Sequence, residues 1–244
     1  APPSGGGTSA TSESTALATA TGAVTASGST TKSTRAALTA SATKADQSSV
    51  YVRKGALLTA TNVKITKTGD TSSGELSSFY GLNAAVLVSS GSKAVITGGT
   101  ITANAKGANA GFATGTGASA TFRKVTMVTN GDGAHGVMAT RGGTVVVDAS
   151  KITVSGAHSA PLATDRGGGT VTATDTELIT TGNDSPCYYS TGTVSASGGS
   201  CTAKGTEASV IEGSNTVSLT NNKVTVTNDK WGFMLYQSFS GDAQ

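Results

Sequence analysis

Short runs in which apolar and polar residues alternate recur along most of the chain, and they come in pairs. Five blocks, GSKAVITGGTITANAKG, GASATFRKVTMVTNG, GGTVVVDASKITVSG, GGTVTATDTELITTG and SNTVSLTNNKVTVTN, each carry one alternating run, a polar gap and a second alternating run. A period of two belongs to a strand, whose side chains point to opposite faces in turn. The first run therefore sends Ala94 and Ile96, Ala120 and Phe122, Val145 and Val147, Val171 and Ala173, and Val217 and Leu219 inward. The second sends in Ile101 and Ala103, Val125 and Met127, Ile152 and Val154, and Val224 and Val226.

A third, shorter apolar run precedes each pair, with expected inward anchors at Leu87, Phe112, Met138, Leu162, Tyr189 and Ile211, Val52 before them and Leu235 after. Successive anchors lie roughly 22 to 27 residues apart, except across an insertion between Val52 and Leu87; this suits one coil of three strands with turns. On these residues the chain resembles the right-handed parallel β-helices of the pectate-lyase-like fold, over approximately residues 50 to 240. The expectation is an all-β solenoid over residues 49–244, with three short strands per coil and about seven to eight coils. Residues 1–48 are a low-complexity N-terminal segment. Within it APPSGGGTSATSEST reads as a flexible leader, while GAVTASG and RAALTASA alternate enough to supply an irregular first coil.

Composition fits narrow coils with tight corners: Gly, Ser, Thr and Ala dominate, and charges and aromatics are few. The formal charge of +3 is small, and Lys and Arg form no stripe interleaved with aromatics, so no nucleic-acid partner is expected. No apolar run approaches the roughly 20 residues needed for a transmembrane segment, and no signal peptide opens the sequence, which reads as already processed at Ala1. Metal-ligand runs, phosphate loops and nucleophile elbows do not occur, so neither metal nor cofactor is expected. Cys187 shares the parity of Tyr189, and Cys201 aligns with Leu178 and Val224, so both point to one corner of the core. They form either a disulfide, which implies an oxidising compartment, or a pair of buried thiols.

Function has to lie on outward faces. On the second run the outward positions Lys64, Thr102, Thr126, Thr153, Ile179, Thr202 and Thr225 read as a threonine ladder, interrupted by Lys64 and Ile179. A ladder is a packing device of good strand formers or a flat array like the ice-binding faces of some β-solenoids. Candidate catalytic groups sit at coil corners: Asp132, His135, His158, and Asp165 with Arg141 and Arg166, followed by Asp184 and Tyr188. The enzymes that the resemblance brings in use a basic residue for proton abstraction or clustered aspartates for hydrolysis. The competing expectation makes the aspartates turn formers, His135 and His158 exposed surface residues, and Arg141 and Arg166 surface partners of Asp165. Glu207 and Glu212 form a further candidate carboxylate pair.

Two departures from the repeat stand out. The segment TGDTSSGELSSFYGLN, Thr68 to Asn83, lengthens one coil, and its Phe79 and Tyr80 either bind sugar or protein or fold back over the next coil. Trp231, Phe233, Met234, Leu235, Tyr236 and Phe239 crowd the last coil, where a subunit contact or an interrupted continuation is favoured over a self-folded cap. The functional expectation is a secreted or cell-surface β-helix for binding or adhesion, with a polysaccharide or cell-surface ligand. A polysaccharide lyase or glycoside hydrolase is the second reading, and ice binding through the ladder the third.

Overall fold

The computed structural model describes residues 11–236, so the start of the expected leader and Phe239 lie outside the described residues. The chain is a parallel β-solenoid of about nine turns, with every strand pairing parallel. The repeat phrases account for seven to eight; the further turn comes from GAVTASG and RAALTASA, which form strands Thr21–Ser27, Lys32–Ala36 and Thr39–Ala42 against the next coil.

Each coil has three faces. The first is a nine-stranded sheet running from Thr21–Ser27 and Gln47–Arg53, through Val86–Val88, Gly111–Thr114, Val137–Thr140, Leu162–Thr164 and Tyr188–Ser190, to Ser209–Glu212 and Phe233–Tyr236. The second and third faces are hydrogen-bonded as one sheet, because Leu57–Lys67, Lys93–Ala103 and Ser119–Thr129 run through the corner between them. At that corner each of these coils has a left-handed residue, Asn62 (φ 50°), Gly98 (75°), Lys124 (54°), Ala149 (47°), Asp175 (47°), Gly198 (64°) and Asn221 (49°), and in two coils a second follows, Gly99 (99°) and Gly199 (79°). These residues turn the chain while the flanking strands stay in register. Gly98 adopts this conformation without strain, and Asn and Asp tolerate it better than other residues with a Cβ.

The inward rows of the second and third faces are those the alternation assigns. Ala94, Ile96, Ala120, Phe122, Val145, Val147 and Val171 are buried in one core with Ile101, Met127, Ile152 and Val154, while Val217, Leu219, Val224 and Val226 are partly buried against it. On the first face the parity is the reverse of that expected at several anchors. Val50, Val86, Val137 and Leu162 point into the core, whereas Leu87, Phe112 and Met138 belong to a second apolar cluster on the outside of the sheet, with Tyr189 packed against it. Two short helices cover that outer row: α1, Glu13–Ala16, and α2, Gly74–Tyr80.

α2 is the excursion between Thr68 and Asn83. Ser73 caps it by accepting the Leu76 amide at 3.2 Å, and Gly81 ends it at φ 78°. At its root the fully buried Lys67 donates through Nζ to the carbonyls of Lys44 at 3.0 Å, Gly69 at 2.9 Å and Thr68. Asn83 closes the far end, donating to the Gly69 carbonyl at 2.9 Å and accepting the Asp46 amide at 2.9 Å. Tyr80 and Leu82 from this segment are buried beside Leu87 and Phe112. A buried side chain of this size contributes about 1.5–3 kcal/mol, enough for a few of them to hold a short helix down.

The two cysteines form a disulfide, Cys187–Cys201, with Cα atoms 6.1 Å apart. It ties the start of a first-face strand to the third-face strand Ser200–Ala203 across the core. Trp231, Phe233 and Leu235 are exposed on the last described coil.

Candidate functional site

α2 covers only part of the first face, and where it stops a cleft of about 270 Å³ opens. Ser78 of α2 forms one wall, Tyr189 and Ala160 the floor, and His158 and Asp184 the opposite side, with His135 and Asp165 reaching in from two corners. An adjoining hollow of about 420 Å³ shares His158, Asp184 and Tyr189 and extends over Glu207, Met234 and Tyr236. The result is a groove along several coils of the first face.

His135 is buried, at 8% exposure, not on the surface as the sequence suggests. Its backbone amide donates to Asn109 Oδ1 at 2.8 Å, and its Nδ1 accepts the Ala160 amide at 2.9 Å, so the side chain bridges coils as a backbone carbonyl would. That bond assigns the proton to Nε2. Burial pushes the imidazole pKa down to about 4, and the Ala160 bond, which needs an unprotonated Nδ1, favours the same form, so the ring is neutral at physiological pH.

Asp165 shifts the other way. Burial, reinforced by the Glu212 carboxylate, pushes its pKa up to about 6, although the Arg166 amide donates to Oδ1 at 2.7 Å. Glu212 Oε2 accepts hydrogen bonds from Tyr189 and Tyr236, both at 2.7 Å. Burial and this carboxylate hold the Tyr189 hydroxyl protonated well above the usual tyrosine range. Asp184 faces His158 at 4.0 Å, with both side chains exposed.

The arginines leave the chemistry. Arg166 lies 4.0 Å from the Phe79 ring centroid and pairs with Glu75 at 3.8 Å, and Arg141 lies 4.9 Å from the Tyr80 ring and donates to its hydroxyl at 3.3 Å. The expected surface pairing with Asp165 is replaced by a clamp on α2. Tyr80, at 4% exposure, serves packing and donates to the Thr11 carbonyl; half-buried Phe79 stays under Arg166. Asp132 accepts the Ala157 amide at 2.9 Å and acts as a turn former. Tyr188 points into the core, where its hydroxyl donates to Asn222 Oδ1 at 2.9 Å. Tyr189, expected inward, faces out: adjacent tyrosines in one strand face opposite ways, and Tyr188 takes the inward side.

On the third face the register separates the ladder. Thr66, Thr102, Val128, Thr153, Ile179, Thr202 and Thr225 share one half-buried row. Thr126 stands in the neighbouring row with Lys64, Thr100 and Lys151, where Lys151 pairs with Glu177 at 3.5 Å. Hydroxyls thus alternate with branched aliphatic side chains in one row and with charges in the next.

Among the described residues no group of three or more His, Cys, Asp or Glu is placed to hold a metal ion, and no helix is long and apolar enough to cross a membrane. No protein-family model matches the chain, and no match was found among curated proteins or solved structures.

Proposed function

We propose that the chain is a secreted or cell-surface β-solenoid that binds carbohydrate in the groove of its first face. The observation that carries this reading is the combination found there: an aromatic floor at Tyr189, a neutral donor at His135, and carboxylate acceptors at Asp165 and Asp184 within one open cleft. A sugar presents an apolar ring face and a rim of hydroxyls that both donate and accept, which suits such a mixture. The disulfide supports an oxidising compartment and hence the extracellular placement. Retention on a panel of immobilised polysaccharides tests the binding: Tyr189→Ala should abolish retention of a protein that otherwise melts as the parent does. Retention unaffected by that change places any glycan contact elsewhere.

The enzymatic reading is favoured by one specific observation, a carboxyl with a pKa of about 6 near a second carboxylate, Glu212. A buried carboxyl with a raised pKa set near a second carboxyl group is the pairing that glycoside hydrolysis uses. It would be established by reducing-end release from the retained polysaccharide that disappears in Asp165→Asn. Proton abstraction by arginine has less support, since both arginines are committed to aromatic faces.

A further inference from the structure

The two ends of the stack are built differently. The first coil puts Ser33 and Arg35 in the inward rows of the second face, in register with buried Leu58 and Ala60 of the next coil. A hydroxyl and a charge in these rows close the head against further stacking. The last described coil, residues 216–236, puts Val217 and Leu219 in the same two rows, Val224 and Val226 in those of the third face, and Phe233 and Leu235 in those of the first. Every inward position of its three strands is thus apolar. One coil earlier the equivalent Val194, Ala196, Cys201 and Ala203 are buried. Here Phe233 and Leu235 are each 53% exposed, the four others are only partly buried, and Trp231 at the preceding corner is 78% exposed. The three strands hold no proline, and their one charge, Lys223, is on the outward side.

A partner for this end has to offer apolar rows of matching shape and free strand edges. The head of a second copy does not. Stacked in register, it would press Arg35 onto Leu219 and Ser33 onto Val217, and a charge buried there without a partner is strongly disfavoured. A second tail does. Turned by a two-fold axis across the stack, it brings the same six apolar side chains to meet these, and its strands reach these edges antiparallel, a pairing at least as stable as the parallel one. The coil is also of the right size, since residues 216–236 match the roughly 20–30 residues per side of a standard stable interface. Charge does not oppose the contact: Lys223, Asp229 and Lys230 are the only charged residues in the coil.

We propose that the chain forms a closed homodimer joined tail to tail through its last coil, residues 216–236. A two-fold contact uses the same patch on both subunits, so assembly stops at two copies with both polar heads outward. The inference goes beyond the carbohydrate-binding reading and does not depend on it. Met234 and Tyr236 also line the hollow that extends the groove, so the joint brings the grooves of the two subunits close together.

Sedimentation velocity over a wide range of concentration tests it: the full chain should pass from monomer to dimer and no further. Leu235→Lys places a charge in an inward row of the joint and should weaken the dimer at least about tenfold. Trp231→Ser changes a side chain too exposed to matter for folding and should weaken it by about tenfold as well. Arg35→Ser, at the head, should leave it unchanged. The two cysteines are bonded to each other, so a cysteine introduced at Lys230 or at Lys32 takes a single spin label. Labels at Lys230 should give a dipolar distance no longer than a coil is wide. Labels at Lys32 should give none, because two stacks of about nine coils at about 4.8 Å hold them roughly 80 Å apart.

A monomer at every concentration overturns the inference, whatever covers the last coil, residues 237–244 included. Species that keep growing beyond two copies overturn it, since they need a contact that does not close. A dimer with a dipolar distance between head labels, or one that both Leu235→Lys and Trp231→Ser leave intact, overturns it as well, because another surface then joins the copies.

Discussion

The Arg166 guanidinium stands 4.0 Å from the centroid of the Phe79 ring, and this contact joins the wall of the cleft to the coil that forms its floor. One coil earlier Arg141 repeats the arrangement on Tyr80 at 4.9 Å, and the Thr140 hydroxyl donates to the Phe79 carbonyl at 2.8 Å. The excursion is therefore part of the site through its position, even though its aromatic side chains are turned into the protein.

Removing both arginines should loosen α2 without unfolding the solenoid. A partly exposed cation–aromatic contact is worth about 0.5–1 kcal/mol, so the double change Arg141→Ala and Arg166→Ala should cost about 1–2 kcal/mol. Limited proteolysis should then cut between residues 68 and 83 several times faster than in the parent. If the cutting rate does not change, burial of Tyr80 and Leu82 alone holds the helix.

The alternation of the chain was a reliable guide where a strand has one wet and one dry side. On the second and third faces that condition holds, and parity assigns Ile96, Phe122, Met127 and Ile152 to the core as found. On the first face both sides of the sheet are dry beneath α1 and α2, and Val86, Leu87 and Val88 are all buried. Strands covered on both faces read as continuous apolar runs, so Leu87, Phe112 and Met138 carried no parity signal. The candidate residues His135, His158 and Asp184 converge because each precedes a first-face strand at equivalent, stacked corners, while Asp165, just after Leu162–Thr164, meets them from the other end of its strand. Their partners were out of reach of the sequence: the contact of Arg166 with Phe79 depends on how a helix outside the repeat lies across several coils.

Lys67 offers a test of how the excursion is rooted. Its buried ammonium satisfies three main-chain carbonyls, those of Lys44, Thr68 and Gly69. A lone desolvated charge would be improved by an apolar isostere. Here Lys67→Met would leave the Thr68 carbonyl without this donor and the Lys44 and Gly69 carbonyls with only the Gln47 amide and Asn83 Nδ2, and each unpaired buried group costs about 1–3 kcal/mol. The expected outcome in urea titration is a loss of about 2–4 kcal/mol; a neutral or stabilising result would show that water replaces the ammonium.

Reducing the disulfide should destabilise the later coils. Cys187 and Cys201 are separated by 14 residues, and closing a loop of that size contributes about 3 kcal/mol through the unfolded chain. Thermal melts with and without a reductant, repeated on Cys187→Ala with Cys201→Ala, should show matching decreases. A parent that melts identically in both conditions would mean that the core contacts alone set stability there.

His135 and Asp165 make opposite contributions to stability in acid. The imidazole pKa is lowered from 6.5 to about 4, so between those values the unfolded chain binds the proton and the folded one does not; stability is lost as pH falls. The Asp165 carboxyl is raised from 3.8 to about 6, so over nearly the same range the folded chain binds the extra proton and stability is gained. Each tenfold change in proton affinity is worth about 1.4 kcal/mol, so each group contributes about 3 kcal/mol, and the two largely cancel in the parent. Asp165→Asn removes the gain and exposes the loss. Relative to the parent, that variant should become progressively less stable from pH 7 to pH 4, by about 3 kcal/mol over the interval, while matching or exceeding it at pH 7. Denaturant titrations at closely spaced pH values would show the divergence, and parallel curves would mean that Asp165 is not the group that binds the proton.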